Sequence, residues 1–526
     1  MKVSDIVAKI LKEEGIPCVF GYPGGEVTSF LDSLKKEGIR FILTKHESTA
    51  AFMAAATGEI SGKPGVCLST LGPGATNLIT GVAHAYLDRA PVIAITGNMA
   101  TNFYEVSTHQ HLDLVRLFEP VSKWSATIEA SSVERILSKA FAIAMSPKQG
   151  PVHLTFPSNV ALMEKEKMNY YLSKISTEST FSGDISASLK IINNSKKPII
   201  FAGLGVLRCN AHQEFVKFVE KLGAPVIITP KAKGIIPENH LQFLGVIEML
   251  CDRIILDYAK NSDLIITIGF DVVEMDKQWM FGETPVIDID NMPNTDKYYP
   301  TQLELHGNIS KMLEVLTRQV NRASWDINDI KSVRENLIKT VATKKSEAME
   351  SFEVVKAARR TMPYDTIAVS DVGAHKMLVG QIWETYEPKT FFMSNGLSSM
   401  GSGIPTAMAA KLYFPKKPVI AIIGDGCFGM NMAELETMVR EDIPIIIIVL
   451  DDKTLSLIKM NQERKGLMPY GVEFTNPDMV KLAESFGAVG YKVERIKELE
   501  DILKKELNSK KPVVIQAVID PRSYRN

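Results

Sequence analysis

The sequence predicts an α/β protein made of three doubly wound, parallel-sheet domains. Short apolar runs rich in Val and Ile alternate with segments of helical periodicity along most of the 526 residues. This alternation is typical of parallel sheets covered by helices. Two polar stretches without periodicity, at about 164–185 and 318–353, divide the chain. We therefore predict domains at 1–165, 186–318 and 355–526, each of ordinary size.

The composition excludes several classes of partner. The 60 basic and 61 acidic residues nearly cancel, so neither nucleic acid nor an anionic membrane is an expected partner. The five cysteines form no C-x-x-C pair, which indicates a reducing compartment and no structural zinc site. No apolar run reaches the roughly 18 residues of a membrane span, and the N-terminus lacks a signal-peptide core. We expect a cytoplasmic protein.

The elements of the first two domains follow from periodicity and from turn residues. In the first domain the pattern predicts helices at 6–14 and 27–36, strands at 17–20 and 40–45, an Ala-rich helix after His46, and strands at 66–70 and 91–96. In the second domain the strand-like runs are PIIFAGLG, PVIITP, LIITIG and VIDID.

The third domain contains a predicted βαβ unit. A strand over 419–423 precedes Gly424-Asp425-Gly426, and a helical segment leads to a second strand over 444–450. Because such crossovers join parallel strands, both strands end at the same edge of the sheet, where α/β proteins bind ligands. Asp425 and Asp452 follow the two strands and should meet there. Two carboxylates beside glycines suit Mg²⁺ bridging to phosphate, and the carbonyl of Thr454 could supply another oxygen.

This Gly-Asp-Gly pattern, with a second acid in register, resembles the diphosphate- and metal-binding motif of thiamine diphosphate (ThDP) enzymes. The resemblance extends over the whole chain and implies pyrimidine-binding, central and diphosphate-binding domains, with ThDP and Mg²⁺ as cofactors. The family usually has Asn at the position of Asp452, and flavin-independent acetolactate synthases resemble this chain in carrying Asp. The alternative is a dinucleotide-binding turn, but no G-x-G-x-x-G opens this helix.

On the pyrimidine side the candidate residues lie in two motifs. The segment TKHESTAAFMA resembles the glutamate segment of the family, which implies that Glu47 hydrogen-bonds the pyrimidine and activates the cofactor. The alternative is a first-turn glutamate favoured by the helix dipole. The turn TLGPGATN resembles a Gly-Pro-Gly turn near the pyrimidine, which implies that Thr70, Pro73 and Asn77 are neighbours of the cofactor.

The segment THQHLD holds the densest group of polar side chains in the first domain. A metal site of His109, His111 and Asp113 is one interpretation, although histidines on a loop are more often surface residues. The run HQHLDLVRLFEPVSKW resembles a His-Gln-x-x-Asp segment of flavin-independent acetolactate synthases. On that basis we predict that Gln110 is a catalytic residue that reaches the reacting carbon.

In the third domain the segments SDVGAHKM and SNGLSSMGSGIP resemble parts of the ThDP site. In the family, the position that matches Met400 holds a bulky side chain that bends the cofactor. The resemblance therefore implies that Met400 is a catalytic residue. Asp452 adds a negative charge beside the diphosphate, so a compensating cation is expected, either Lys453 or His375. The predicted cofactor-binding residues of this domain are Ala374, His375, Ser398, Met400, Gly424, Asp425, Gly426, Cys427, Asp452 and Thr454; the predicted metal ligands are Asp425, Asp452 and Thr454.

Departures from related families favour one reaction. Simple 2-keto acid decarboxylases carry an adjacent histidine pair and two acids that protonate the carbanion left by CO₂. This chain has no His-His pair, and Gly25 and Ile458 stand where those acids would be. A site without such proton donors favours carbon–carbon ligation. The segment IGFDVVEMDKQW resembles the flavin-independent enzymes, so we expect no FAD.

The predicted function is therefore that of an acetolactate synthase, which joins two molecules of pyruvate, a 2-keto acid, with loss of CO₂. The alternatives are a 2-keto acid decarboxylase, another carboligase or lyase such as sulfoacetaldehyde acetyltransferase or benzaldehyde lyase, and a non-catalytic nucleotide-binding homologue. Because relatives form their ThDP sites between two chains, the resemblance implies a homodimer or homotetramer.

Overall fold

A computed structural model of the protein describes residues 1–166, 170, 180–247, 251–275, 279, 281–295, 297–342 and 348–524. It confirms the predicted fold class, because three separate sheets, all or mainly parallel, follow one another along the chain. Most of the predicted connector at 164–185 lies outside the described residues. Among the described helices, none has the length and apolar character needed to cross a membrane.

The first sheet has the order β2-β1-β3-β4-β6-β5, and its neighbouring strands pair in parallel. Its strands are β1 (Cys18–Tyr22), β2 (Arg40–Leu43), β3 (Gly65–Ser69), β4 (Val92–Asn98), β5 (Trp124–Thr127) and β6 (Pro151–Pro157). The helices of this domain are α1 (Val3–Glu13), α2 (Thr28–Lys36), α3 (Glu47–Ser61), α4 (Pro73–Leu87), α5 (Leu114–Phe118), α6 (Val133–Met145) and α7 (Ser158–Leu162). Strands β3, β4 and β6 are buried throughout, which explains their unbroken apolar runs.

The second sheet has the order β10-β9-β8-β11-β12-β13-β7. Its strands are β7 (Phe181–Ser182), β8 (Pro198–Ala202), β9 (Val226–Ile228), β10 (Phe243–Val246), β11 (Leu264–Ile268), β12 (Val286–Asp290) and β13 (Leu303–Gly307). The two-residue edge strand β7 runs antiparallel to β13. The helices are α8 (Ile185–Asn194), α9 (Gly205–Arg208), α10 (His212–Leu222), α11 (Asp252–Ala259) and α12 (Ile309–Thr317), and α13 (Ile327–Val341) follows before the third domain.

The third sheet has the order β15-β14-β16-β17-β19-β18, again with parallel neighbours. Its strands are β14 (Ile367–Ser370), β15 (Phe391–Met393), β16 (Val419–Gly424), β17 (Ile446–Asp451), β18 (Val489–Val493) and β19 (Val513–Val518). Its helices are α14 (Ser351–Thr361), α15 (Ala374–Ile382), α16 (Gly403–Tyr413), α17 (Asp425–Asn431), α18 (Glu434–Arg440), α19 (Ser456–Arg464), α20 (Met479–Ser485) and α21 (Ile496–Glu506). The helical segment predicted after Gly426 is thus two helices, α17 and α18.

The first and third domains share one hydrophobic core. Helix α3 packs against α4 of its own domain and against α16 of the third domain. Small residues allow this close packing: a Cβ atom placed on Gly81 of α4 would lie 2.4 Å from the Cβ of Ala51 on α3. The helix that begins at Glu47 is therefore held between two domains of the same chain.

Asp88, directly after α4, joins all three domains. Its buried carboxylate lies 2.8 Å from the ammonium of Lys231 in the second domain. The same carboxylate accepts hydrogen bonds from the backbone N–H groups of Asn395 (3.0 Å) and Gly396 (3.2 Å) in the third domain. Lys231 also pairs with Glu59 on α3 at 2.6 Å. The segment that leads to Met400 is thus attached to the first domain.

The charge of Asp88 is stabilised by these contacts. Burial alone would raise the pKa of Asp88, but the Lys231 ammonium and the N–H of Asn395 outweigh burial and hold this pKa well below its usual range. Lys231 in turn keeps its charge, because the carboxylates of Asp88 and Glu59 outweigh its own burial and raise its pKa. The buried pair is therefore fully ionised at neutral pH.

We predict that Asp88→Asn lowers the free energy of unfolding by about 3–5 kcal/mol, since it removes one partner of a buried ion pair. Urea unfolding followed by circular dichroism measures this change. Asp32→Asn is the matched control, because Asp32 makes an exposed ion pair with Lys36 on α2; it should change nothing measurable. Equal effects of the two substitutions would contradict the role of Asp88.

The same carboxylate makes a contribution to stability that depends on pH. Because the native pKa of Asp88 lies below its unfolded value of about 3.9, the contribution is present above that pH and is lost as the pH falls below it. Wild-type stability should therefore fall more steeply below about pH 4 than that of the Asp88→Asn variant.

Candidate active site

Two neighbouring strands of the third sheet end beside each other and bring the predicted acids together. β16 ends at Gly424, which is in register with Leu450 of β17. The carboxylate of Asp425 accepts hydrogen bonds from the N–H groups of Lys453 (2.7 Å) and Gly426 (2.8 Å), so the two strand ends are in direct contact. The register of parallel strands explains why residues so far apart in sequence meet.

Burial makes these acids costly to ionise without a counter-charge. It raises the pKa of Asp425 to about 6 and that of Asp452 to about 7, and the charge of Asp425 adds to the shift of Asp452. Asp452 accepts hydrogen bonds from the N–H of Thr454 (3.2 Å) and from the hydroxyl of Ser456. Together with the Thr454 carbonyl, the two carboxylates form a donor set that could hold a hard divalent cation.

Asn476 is a part of this cluster that sequence reasoning missed. Its side-chain amide donates to Asp425 at 2.7 Å and to Asp451 at 2.8 Å. The other oxygen of Asp451 accepts from Gln516 at 2.6 Å. Asn476 thus links the acid that ends β17 to the acid that follows β16.

The N-terminus of α15 lies against the Gly424 turn. The His375 ring approaches Gly424 so closely that a Cβ on this glycine would lie 3.2 Å from the ring. The His375 Nε2 atom is buried and has no hydrogen-bond partner among the described residues. Such an atom, next to free N–H groups at a helix N-terminus that begins with Ala374, fits a phosphate oxygen of a bound ligand. The N-terminus of α15 is therefore a candidate site for an anionic group.

Neither His375 nor Lys453, the two cations predicted to compensate the charge of Asp452, has surroundings that suit this role. Burial lowers the pKa of His375 to about 4, so its imidazole is neutral at neutral pH. Lys453 is exposed to solvent. The expectation that one of these two residues compensates Asp452 is therefore not supported by their surroundings.

Met400 lies against the same turn from the other side. Its methyl group would lie 3.2 Å from a Cβ on Gly426, so a side chain at this position would displace it. Asp371, at the end of β14, holds this segment by accepting hydrogen bonds from the N–H groups of Gly401 and Gly403, each at 3.0 Å. The Cys427 thiol donates to the carbonyl of Val372, so any contact of Cys427 with a cofactor would involve its backbone.

Glu47 begins α3 and is buried, with 8% of its surface exposed. His46 caps the helix by accepting from the N–H of Ser48 at 3.2 Å. The side-chain amide of Asn77 donates to Glu47 at 3.0 Å, and a Cβ on Gly74 would lie 3.2 Å from the other carboxylate oxygen. The two predicted pyrimidine-side residues, Glu47 and Asn77, are therefore in contact.

The remaining first-domain residues lie around the same turn. Thr70 donates to the carboxylate of Glu26 at 2.6 Å. Pro73 is the first residue of α4. Gly72, with a positive φ of 54°, lies against Gln110, since a Cβ on this glycine would be 2.9 Å from the Gln110 Cβ. The loop of Gln110 is thus placed beside the turn that carries Thr70 and Pro73.

The histidines near Gln110 do not form a metal site. Among the described residues, no group of three His, Cys, Asp or Glu side chains is arranged to hold a metal ion. Asp113 instead caps α5 by accepting from the N–H of Arg116 at 3.1 Å. The zinc interpretation of His109, His111 and Asp113 is therefore rejected for this part of the chain.

The domains match three family models in chain order. Residues 1–117 match the N-terminal thiamine pyrophosphate-binding domain of thiamine pyrophosphate enzymes, residues 185–316 the central domain, and residues 371–517 the C-terminal thiamine pyrophosphate-binding domain. The chain is also 33% identical to a probable acetolactate synthase large subunit of Methanococcus aeolicus, over 99% of this chain and 93% of the relative. The chain belongs to the ThDP-dependent enzymes.

Two further relatives of this ThDP-dependent enzyme come from one organism, and only one of them is named as an acetolactate synthase. It is 32% identical to an acetolactate synthase of Bacillus subtilis, over 98% of this chain and 93% of the relative. It is 31% identical to a putative thiamine pyrophosphate-containing protein, YdaP, of the same organism, over 98% of this chain and 91% of the relative. The family is therefore established, whereas the substrate is a separate question.

The candidate residues of this ThDP-dependent enzyme form two groups in one chain. Glu47, Thr70, Pro73, Asn77 and Gln110 lie within the N-terminal match, and those from Ala374 to Thr454 lie within the C-terminal match. Among the described residues, no hydrogen bond or ion pair joins the first group to the second.

The central domain contains a cavity of about 150 Å³ at the carboxyl ends of its strands. Its lining includes acids and bases in similar number: Asp88, Asp271, Glu274, Asp288 and Asp290, and Arg89, Lys148, Arg208 and Lys231. Burial raises the pKa of Glu274 to about 7 and, together with the neighbouring carboxylates, that of Asp290 to about 8. Residues 276–278 of the segment used to predict the absence of FAD lie outside the described residues.

Proposed function

We propose that this ThDP-dependent enzyme is an acetolactate synthase, which converts two pyruvate ions and one proton into 2-acetolactate and CO₂. The support comes from relatives over nearly the full length that carry this description and from a site whose two halves hold every residue type the cofactor needs. The observation that carries the proposal is the buried Glu47–Asn77 contact on one side and the Asp425–Asp452 cluster with the unpartnered His375 on the other.

When bound, ThDP would supply a nucleophilic carbon that adds to the keto group and accepts the electron pair released with CO₂. The protein binds and orients it. Glu47 can exchange a proton with the pyrimidine because Asn77 fixes one carboxylate oxygen and Gly74 leaves room beside the other. We expect Met400, which lies against Gly426, to restrict the cofactor to one conformation, and Gln110 to reach the reacting carbon.

Ligation, rather than simple decarboxylation, requires that no acid of this chain protonate the carbon from which CO₂ leaves. Gly25 and Ile458 cannot donate a proton, which favours ligation. Glu26 is the acid next to Gly25, and its carboxylate is engaged by Thr70. The position of Glu26 beside the pyrimidine-side turn is the specific observation in favour of a second candidate function, a 2-keto acid decarboxylase in which Glu26 provides the proton.

Product analysis separates these two functions. Purified protein with ThDP, Mg²⁺ and pyruvate should consume two pyruvates for each acetolactate formed. Acetaldehyde as the main product would contradict the proposal and make Glu26→Gln the next variant to assay. Turnover of other keto acids with no reaction of pyruvate would direct the assignment to another carboligase or lyase.

We propose further that the enzyme works without FAD. The support is the resemblance of the segment IGFDVVEMDKQW to the flavin-independent enzymes. The central cavity is lined by both acids and bases, so its charge favours neither the presence nor the absence of a dinucleotide. The visible spectrum of the purified protein tests this proposal, since bound flavin absorbs near 450 nm.

The Glu47→Gln substitution should lower the turnover rate by about 10²–10⁴-fold, because an amide cannot exchange the proton that a carboxylate exchanges. Affinity for ThDP, measured by calorimetry, should change little, since Gln can still hydrogen-bond the pyrimidine. Glu13→Gln, on the exposed face of α1, is the control. Full activity of the Glu47→Gln enzyme would contradict the assignment.

We propose that Asp425, Asp452 and the Thr454 carbonyl hold Mg²⁺ at the diphosphate. The Asp425→Asn variant should then bind ThDP at least about 100-fold more weakly in the presence of Mg²⁺, since even residues that only orient a metal ligand contribute about 10–100-fold. Calorimetry with and without Mg²⁺ measures this effect. An unchanged dependence on Mg²⁺ would contradict it.

We propose that a second copy of the chain completes each site, so that the working unit is a homodimer or a dimer of dimers. Large apolar side chains near both groups are exposed in the single chain. On the first domain they are Tyr22, Phe103, Val106 and Leu112, and on the third domain Met430, Ile458, Leu467, Met468 and Tyr470. Apolar surface next to two half-sites is typical of a face that another subunit covers.

Mixing two inactive variants tests this arrangement. A dimer of one Glu47→Gln chain and one Asp425→Asn chain would contain one site with both wild-type halves, if each site is formed between chains. A refolded equal mixture should therefore recover about a quarter of the wild-type activity. Sites formed within single chains would give no recovery.

A further inference from the structure

Lys376, in the first turn of α15, is a buried lysine without a carboxylate partner. Its side chain is 6% exposed, and its ammonium donates to the Asn395 side-chain carbonyl at 2.8 Å and to the Ser398 hydroxyl at 3.4 Å. Both acceptors are neutral. Among the described residues, no acid forms an ion pair with this ammonium.

Two other buried lysines of the protein are paired with carboxylates. Lys231 lies between Asp88 and Glu59, and Lys233 pairs with Glu238. A charged group is rarely buried unless an opposite charge accompanies it, because removing it from water is costly. The surroundings of Lys376 therefore indicate that its counter-charge is supplied by a ligand.

Its position is next to the predicted cofactor site. Lys376 directly follows His375, whose buried Nε2 atom also has no partner among the described residues. Its second acceptor, Ser398, stands two residues before Met400, which contacts Gly426. Two neighbouring polar groups of α15, both nine-tenths buried and both incompletely satisfied, thus lie at one site. An ammonium has three N–H donors, and these contacts use two of them.

We propose that the Lys376 ammonium binds an anionic oxygen of a small molecule in this site. In an enzyme of the proposed function the anion is either the diphosphate of ThDP or the carboxylate of the 2-keto acid, so the identity of the anion rests on that function.

The Lys376→Met variant tests this proposal, because it removes the charge and keeps most of the volume. If the anion is the diphosphate, the dissociation constants of Mg²⁺–ThDP and of Mg²⁺–pyrophosphate, measured by calorimetry, should both rise at least about tenfold. If the anion is the substrate carboxylate, these constants should stay unchanged while the KM for pyruvate rises by a similar factor. Lys376→Gln, which keeps a donor for Asn395, replaces it if the methionine variant does not fold.

Lys389→Met is the matched control. The Lys389 ammonium also donates to a neutral acceptor, the carbonyl of Ile60, but it lies outside the predicted site. The proposal is overturned if substitution of Lys376 changes neither dissociation constant nor KM more than the control does, even if the melting temperature falls. If the wild-type protein binds ThDP but makes no acetolactate, the proposed function fails, whereas the pyrophosphate measurement still tests Lys376.

Discussion

The position of one buried carboxylate determines how the three domains meet. Asp88 follows α4, which begins at the pyrimidine-side turn, and it binds both Lys231 of the central domain and the backbone of Asn395 and Gly396. The segment fixed in this way continues to Ser398 and Met400. Because a buried charge requires its partners, the three domains cannot separate without leaving it uncompensated. The segment that carries Ser398 and Met400 is therefore held by a contact that lies outside the candidate active site.

The candidate active site concentrates negative charge in a place from which water is largely excluded. Asp451 ends a strand of the third sheet, and Asp371, Asp425 and Asp452 come directly after strand ends of the same sheet. The hydrogen bonds of Asn476, Gln516 and several backbone N–H groups stabilise these acids only in part. A divalent cation would supply the missing positive charge. Binding of the cofactor together with its cation would therefore also balance the negative charge of these acids. This explains why the acids lie beside unsatisfied donors.

The division of the site into two groups follows from the same architecture. Helix α3 carries Glu47 and packs against α16 of its own third domain. The described contacts of Glu47 and Asn77 stay within the first domain, and those of Asp425 and Asp452 stay within the third. A second copy, covering the exposed apolar residues near both groups, is the simplest way to bring a pyrimidine half and a diphosphate half together.

Periodicity and turn residues predict the fold class, and the resemblance of several motifs to those of ThDP enzymes implies most of the candidate residues. Parallel strands that end in Gly424 and Asp451 must place the residues after them at one edge, so the meeting of Asp425 and Asp452 could be predicted. The motif around Glu47 also marked the start of a buried helix. These features depend on short-range sequence patterns and on rules of chain connection.

Contacts between distant segments could be seen only in the tertiary structure. Asn476 bridges Asp425 and Asp451, and Asp88 reaches Asn395; no local pattern marks either residue. The tertiary structure also decides the charge of His375, because burial makes this imidazole neutral. The fold leaves Lys376 without an acidic partner among the described residues. Sequence specifies which groups can ionise, but the pKa and the pairing of each group depend on what the fold packs against it.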